Sequence, residues 1–581
     1  MTKLCTLSAL FLTVILSSCA EKIPEQQTPA SLAKGGVKYG GILKVNEIDR
    51  FKSLMPMAIS EQNAYHIASQ VYEGLVKYNQ FDLSLIPGLA KSWGISNDLK
   101  EYTFHLRTNA RFHDDSCFKD GKGRNAKAGD VLFSFEALCS KNINNSQFDI
   151  TFKDRVEGAN ENYEQSGSGK VHSISGVKVI NDSTLSIKLL NPDPTFLNIL
   201  AMPGCFVFPK EAGLKYGSRM RTKCVGTGPF YLEYLKEGEE VVLTRNADYW
   251  GKDIHGNQLP YLNGIHWSFV PDKRSEVELF RDGKLDAIYN IPVDLFHQTL
   301  GNLQDKSGTH LNFDIYTSPA LSTHFYGLNV QMNPFFSVKE IRRAINLAID
   351  RKKIAEVTLK GEGTAAEYGI VPYTKTFERA GYDYKALRGF SYDPDSARKL
   401  LEKSGYPMGL GLPALNLEIN SSGGERNLMV ALAVQKMLKE NLGINVNLNV
   451  VSWSEHMSNV HSGKSDFFRY AWVSDYPDPE SFLTLFYGQH VPERMEEKSY
   501  INVGRFKNMK FDVLFLASRI ELDKTKRYKL LLQAEQILID EAAFIPLYYD
   551  ENMRLVQKEV KNFRENPMGF MDMTYVYFSR R

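Results

Sequence analysis

The sequence predicts an α/β protein of several domains, on three observations. Strand-period and helix-period signals alternate along the chain. At one well-marked place a long helix pattern ends at a glycine and passes directly into an alternating strand, which is the order of an α/β unit. And 581 residues exceed what one hydrophobic core holds, so two to four domains are expected.

The chain opens with a short apolar stretch, Leu7 to Leu16, that runs into Leu16-Ser17-Ser18-Cys19. This is how a bacterial lipoprotein leader finishes: small residues precede a cysteine whose thiol takes a diacylglyceryl group, and cleavage leaves Cys19 as the lipidated N-terminus. About ten apolar residues fall short of a bilayer core of roughly 30 Å, so a transmembrane anchor is disfavoured; a plain secretory leader is the other alternative. The expected address is the cell envelope, on the periplasmic or other extracytoplasmic face, with the membrane as a partner through the lipid. Residues 20–39 are polar, with Pro24, Pro29 and paired glycines, and read as a flexible tether before a body that starts near Gly40.

Within the body, Tyr102, Phe104 and Leu106 alternate with polar residues from Glu101 to Arg107, a half-buried strand. Val177 to Leu189 holds two such runs around Asn181-Asp182, a hairpin. Asn160 to Lys170, ending in Ser-Gly-Ser-Gly, reads as an exposed loop. Ile341, Ala344, Ile345, Ala348 and Ile349 recur at helical spacing. Asp393-Pro394 supplies an N-cap and a first-turn proline for a helix that Gly405 closes. A helix from Glu425 to Leu442 stops at Gly443 and yields to Ile444, Val446, Leu448 and Val450. The last helix surrounds Tyr528, Leu531, Leu532 and Leu538, and Phe544 to Tyr549 follows as a strand.

Seventy Lys and Arg against 68 Asp and Glu leave no bulk charge, which argues against nucleic acid as a partner. Aromatic content of 12% suits either a cavity lined with rings or a large core. Of six cysteines, Cys5 leaves with the leader and Cys19 takes lipid. The remaining four, Cys117, Cys139, Cys205 and Cys224, allow three pairings in an oxidising compartment, and Cys117 with Cys139 and Cys205 with Cys224 is preferred because each pair brackets a compact local loop. No CxxC occurs, and His456 and His461 are five apart, on different faces of a helix, so no metal site and no cofactor are expected. No nucleophile elbow, zincin motif or phosphate loop is present; Gly226-Thr227-Gly228-Pro229 reads as a rigid turn and Asp114-Asp115 as a solvated one. Binding is favoured over catalysis, and the protein is not expected to be an enzyme.

One segment concentrates chemistry. Arg469-Tyr470-Ala471-Trp472-Val473-Ser474-Asp475-Tyr476-Pro477-Asp478-Pro479 sets a cation, two anions and three rings within eleven residues, and its prolines interrupt regular structure. A surface turn is the plain alternative.

The chain resembles the family 5 extracellular solute-binding proteins, the receptors of peptide-type ABC importers. The resemblance is carried in order by Tyr72-Glu73-Gly74-Leu75, Pro87 to Trp93, Tyr102 to Arg107 with Arg111-Phe112-His113, Gly129-Asp130-Val131, Val225 to Phe230, Phe280 to Asp286, Ile341 to Arg351, and Trp472 to Pro479. It implies a two-lobed clamshell with an additional domain on one lobe: lobe I from 40–55, 186–318 and 551–581, the additional domain from 56–185, and lobe II from 319–550. It also implies a monomeric receptor that delivers peptide to a membrane permease. By its match to the family motif, Asp475 pairs with the ligand's α-ammonium, Trp472 and Trp453 lie near the ligand, Arg469 acts on it directly or through water, and Tyr476 completes the motif. Ser422-Gly423-Gly424-Glu425 replaces the family histidine that meets a peptide's carboxylate, and the stretch between His113 and Gly129 is longer than usual. The same scaffold elsewhere takes nickel complexes, haem, oligosaccharides or opines, and an envelope adhesin or chaperone-like lipoprotein is the alternative outside that class.

Overall fold

A computed structural model describes residues 32–579 apart from 143, 168–172, 292–294, 296–311, 422–424 and 495. The leader, Cys5 and Cys19 lie outside the described residues. Order begins before Gly40: Ala33 is buried, its N–H donates to the Val37 carbonyl at 2.8 Å, and the Lys34 N–H donates to Asn257 Oδ1 at 2.9 Å, so the end of the expected tether is packed on the body.

Three main sheets organise the chain. Ile42–Asn46, Gly264–Ser268, Glu240–Arg245 and Phe230–Lys236 form one, with its first pair parallel. Ala90–Ile95, Glu101–Leu106, Thr184–Lys188 and Val177–Asn181 form an antiparallel second, which contains the hairpin at Asn181-Asp182. The third has seven strands. Its main path runs Ala287–Tyr289, Phe544–Gln557, Phe313–Leu328, Phe467–Val473, Leu415–Asn420 and Val446–Val451, with Gly363–Ala365 added beside Phe544–Gln557.

The hydrophobic cores divide the molecule into two lobes. One large cluster unites residues from Leu43 to Tyr289 with Val556 to Phe578, and two others gather residues from Leu321 to Tyr548. Among the described strands, Phe313–Leu328 and Phe544–Gln557 run through both. Their near ends pair at Phe313↔Gln557 in the first lobe and their far ends at Gly327↔Phe544 in the second. Phe313 to Pro319 alternates in burial while Ala320 to Leu328 is buried on both faces, which matches an edge-like half joined to a sheet centre. Between the halves the register slips from Pro319↔Glu551 to Thr323↔Tyr549, and again between His324 and Phe325. Pro319 and Pro546 cannot donate to the ladder, so the irregularity falls where the two lobes meet.

Motif residues of the first lobe interlock. The Glu73 carboxylate accepts from Thr227 Oγ1 at 2.9 Å, Tyr249 OH at 3.0 Å and Trp250 Nε1 at 2.9 Å. Gly226 and Gly228 let that turn lie on the backbone of Val71: a Cβ on Gly226 would stand 2.0 Å from the Val71 carbonyl oxygen. In the second lobe, Asp393 Oδ1 caps Pro394–Lys403 by accepting the Ser396 N–H at 3.0 Å, and Gly405 and Gly443 take positive φ at +91° and +69°.

Two expectations are corrected. Asn160 to Ser166 is helical, within Ala159–Ser166, because Tyr163 stacks on Phe148 with centroids 4.1 Å apart and buried Asn162 donates to the Cys139 carbonyl at 3.1 Å; tertiary contacts override a polar composition. The cysteines Cys117, Cys139, Cys205 and Cys224 are all free thiols. Cys139, Cys205 and Cys224 are buried in the first-lobe core, where a neutral thiol packs as a small apolar group, and sequence proximity does not align the pairs 117–139 and 205–224. Burial pushes the Cys224 thiol up to about 12, and burial with Asp115 beside it does the same for Cys117.

Candidate functional site

A cavity of about 250 Å³ opens where the two long strands lose register. Gln62 and Asn290 come to it from the first lobe, Val473 and Arg426 from the second, and Ser322 and Asp550 from the neck itself. None of the five ligand residues expected from sequence lines this cavity; Val473, two residues before Asp475, does.

The strand Phe467–Val473 is central in its sheet, with Arg469 opposite Tyr326, Trp472 opposite Thr323 and Val473 opposite Ser322. Side chains alternate, so Arg469 and Trp472 point to opposite faces. Beyond Val473 the chain leaves the sheet and is pinned at several points. The Ser474 N–H donates to the Leu321 carbonyl at 2.8 Å. Asp478 takes a two-pronged contact from Arg527, at 2.6 and 2.8 Å, and accepts the Glu480 N–H at 2.9 Å; Arg527 also reaches Glu480 at 3.2 Å. All three charged side chains are buried. Tyr476 reaches across and packs in the first-lobe core.

Held between these posts is half-buried Asp475. Its backbone N–H donates to Ser481 Oγ at 3.2 Å, and the same oxygen accepts from Trp472 Nε1 at 3.4 Å. The Asp475 carboxylate accepts no hydrogen bond from any described residue. Burial pushes its pKa up to about 6, against the opposing pull of the Arg155 guanidinium, and Arg155 is itself committed to Asp193 at 3.2 Å. The site therefore holds a carboxylate that is short of a cation.

Arg469 is engaged elsewhere. Its Nη2 donates to His324 Nδ1 at 2.9 Å and its Nη1 to Asn420 Oδ1 at 3.4 Å. The His324 Nδ1 also accepts from Tyr548 OH at 3.0 Å, which leaves Nε2–H to donate to Asp550 at 2.6 Å. Burial, then the flanking Arg469 and Arg426, lowers the His324 pKa, so the ring is neutral in that tautomer. Despite burial, Asp550 is held well below the usual carboxylate range by His324, Arg426 and Ser322; Arg426 Nη2 donates to it at 2.8 Å and Ser322 Oγ at 3.0 Å. Arg426 in turn lies over the Tyr548 ring, 4.7 Å from its centroid. This network lies outside what the sequence reading named. Its only signal is the polar run Ser322-Thr323-His324 inside an apolar strand.

Trp453 opens the helix Trp453–Ser462 and is 50% exposed, with its ring 6.2 Å from that of His456; it is not part of the cavity lining. His456 bridges Glu418 and the Arg469 carbonyl, both at 2.9 Å, a structural role. Among the described residues no cluster of His, Cys, Asp and Glu is arranged to hold a metal ion, and no helix is long and apolar enough to cross a membrane.

Comparison with known proteins agrees with this architecture. The periplasmic oligopeptide-binding protein OppA of Escherichia coli is 29% identical over 524 residues, covering 89% of each chain. Among solved structures, the periplasmic binding protein DppA of Helicobacter pylori in complex with the peptide STSA superposes with a TM-score of 0.72 at 25% identity, covering 93% of this chain and 99% of the other. A periplasmic oligopeptide-binding protein of Borrelia burgdorferi, OppAIV, gives 0.72 at 28% identity, covering 92% and 99%. The profile of the bacterial extracellular solute-binding proteins, family 5, matches residues 84–491, more than half of the chain, and this protein belongs to that family.

Proposed function

We propose that this protein is the substrate-binding component of an ABC importer and captures peptides between its lobes for delivery to a membrane permease. The observation that carries this reading is the half-buried carboxylate of Asp475, which accepts no hydrogen bond from any described residue. A peptide's α-ammonium supplies the missing cation, and the pairing fixes where the peptide begins. The ligand's own N–H and C=O groups are then met by strand-like pairing beside Val473, which ignores side-chain identity.

Closure proceeds by bending where the two neck strands lose register, and it is driven by ligand only because the closed state makes contacts to both lobes that the open state lacks. Trp472 positions Asp475 through the Ser481 hydroxyl they share, and Arg469 stiffens the neck through His324 and Asp550. Trp453, half out in solvent, is the weakest of the five ligand candidates. The chain acts as a monomer tethered through lipid on Cys19, and it binds its cargo without chemical change. The additional domain at 56–185 serves as a buttress of lobe I, since its core is continuous with that lobe's.

Calorimetry with a panel of short peptides tests the ammonium role. Asp475→Ala should weaken binding by about 3–5 kcal/mol, the cost of leaving a buried charge without its partner, and N-acetylation of the peptide should cost a similar amount. Equal affinity for free and acetylated peptides overturns the assignment.

A further inference from the structure

The helix Met509–Ile520 turns four large apolar side chains to water: Met509 is 82% exposed, Val513 61%, Leu516 42% and Ile520 60%. At about 100° per residue these positions fall within roughly 60° of one another, a straight stripe about 18 Å long. The other side of the helix accounts for its folding, because Phe511 and Phe515 are buried in the second-lobe core. Leu522, also exposed, continues the stripe past the helix end.

Lysines frame both ends. Lys507 and Lys510 stand at the start, and Lys524, Lys526 and Lys529, from the first turns of the helix Lys524–Asp540, stand at the finish; all five are exposed, and none forms an ion pair among the described residues. The nearby acids keep their charge while accepting backbone N–H groups, Asp512 from Gly488 at 2.8 Å, Glu521 from Asp523 at 2.8 Å and Asp523 from Lys526 at 2.9 Å, and the five lysines outnumber them.

We propose that this face rests on an anionic lipid bilayer, the apolar stripe entering the headgroup boundary and the lysines reaching lipid phosphates on either side. A second copy is disfavoured by charge: laid antiparallel on itself, the stripe would set Lys507 and Lys510 against the partner's Lys524, Lys526 and Lys529. A folded protein partner needs roughly 800 Å² from each side, far more than a four-residue ridge on a convex helix supplies. A bilayer needs no matching groove, and lysine stems lie along apolar surface while their ammonium groups stay in water. The contact is weak alone and acts by orienting a body already held at the membrane.

The test is co-sedimentation of the full-length chain carrying Cys19→Ser, which removes the site of acylation, with vesicles of phosphatidylcholine alone or mixed with phosphatidylglycerol. Binding should favour the anionic vesicles and fall with salt. The combined Val513→Ser, Leu516→Ser and Ile520→Ser chain should bind about tenfold more weakly with unchanged peptide affinity. Lys524→Gln, Lys526→Gln and Lys529→Gln together should blunt the salt dependence. Equal binding by the triple-serine chain, or no preference for anionic vesicles, overturns the proposal. So does a dimer in sedimentation velocity that the serine substitutions abolish while vesicle binding persists.

Discussion

Asp475 trades stability for binding. Its pKa is raised in the folded chain, to about 6, so the folded state holds a proton more tightly than the unfolded one; this contribution to stability is full below about pH 3.9 and is lost as pH rises through 6. At pH 7.5 the ionised, unliganded protein is strained, and Asp475→Asn should stabilise it by on the order of 1–2 kcal/mol, with no gain at pH 4. Urea titrations at the two pH values read this directly, and a gain that is the same at both would contradict it. Ligand affinity runs the other way. A free-amine peptide should bind evenly near neutrality and lose about tenfold per pH unit below 6, as the acceptor is protonated, whereas an acetylated peptide should show no such fall. At this scale the sequence was legible where chemistry is local. The Arg469 to Pro479 segment holds, in a prolyl turn, a half-buried acid that accepts no hydrogen bond from any described residue. The His324, Asp550 and Arg426 network was not legible, because its members lie 226 and 124 positions from Asp550 and only the folded sheet brings them together.

At the scale of elements, the turn from Ser474 to Glu480 is a splint whose strength lies in Arg527. Removing that guanidinium leaves buried Asp478 without its cation and Glu480 with Arg519 alone, at 3.5 Å. Arg527→Ala should therefore cost roughly 3–5 kcal/mol in chemical denaturation and, by freeing the turn, weaken peptide binding too. A stability loss below about 1 kcal/mol would show the pair to be solvated and unimportant. Helix limits were readable from capping chemistry at Asp393, Gly405 and Gly443, since each is decided within a few residues. The helix at Ala159–Ser166 was not, because a stacked Phe148 and a buried amide decide it. The cysteines carry the same lesson: spacing along the chain says little about neighbours in a core.

For the molecule as a whole, two lobes joined by two strands predict a hinge. Small-angle scattering should show a smaller radius of gyration on adding a peptide, and no change for Asp475→Ala at the same peptide concentration; a radius insensitive to peptide would contradict closure. Several motifs that signalled the family turn out to be architectural. Glu73 ties three segments together, and Arg351 spends its guanidinium on the Pro546 carbonyl at 2.7 Å and the Asn346 side chain at 2.7 Å. What could not be read was the order of the seven-stranded sheet, in which sequence neighbours are rarely partners.

The stretch from Gly569 to Met571 has a consequence for biosynthesis. Gly569 and Met571 offer carbonyls to His66 and Gln70, at 3.2 and 2.6 Å, so the first lobe is sealed by residues some 500 positions downstream of the helix they touch. A ribosome delivers those residues long after the helix they seal. The early-made lobe must wait, incomplete, while the later-made one, contiguous in sequence, can condense ahead of it, and the nascent protein stays pliable until Gly569 to Met571 emerge.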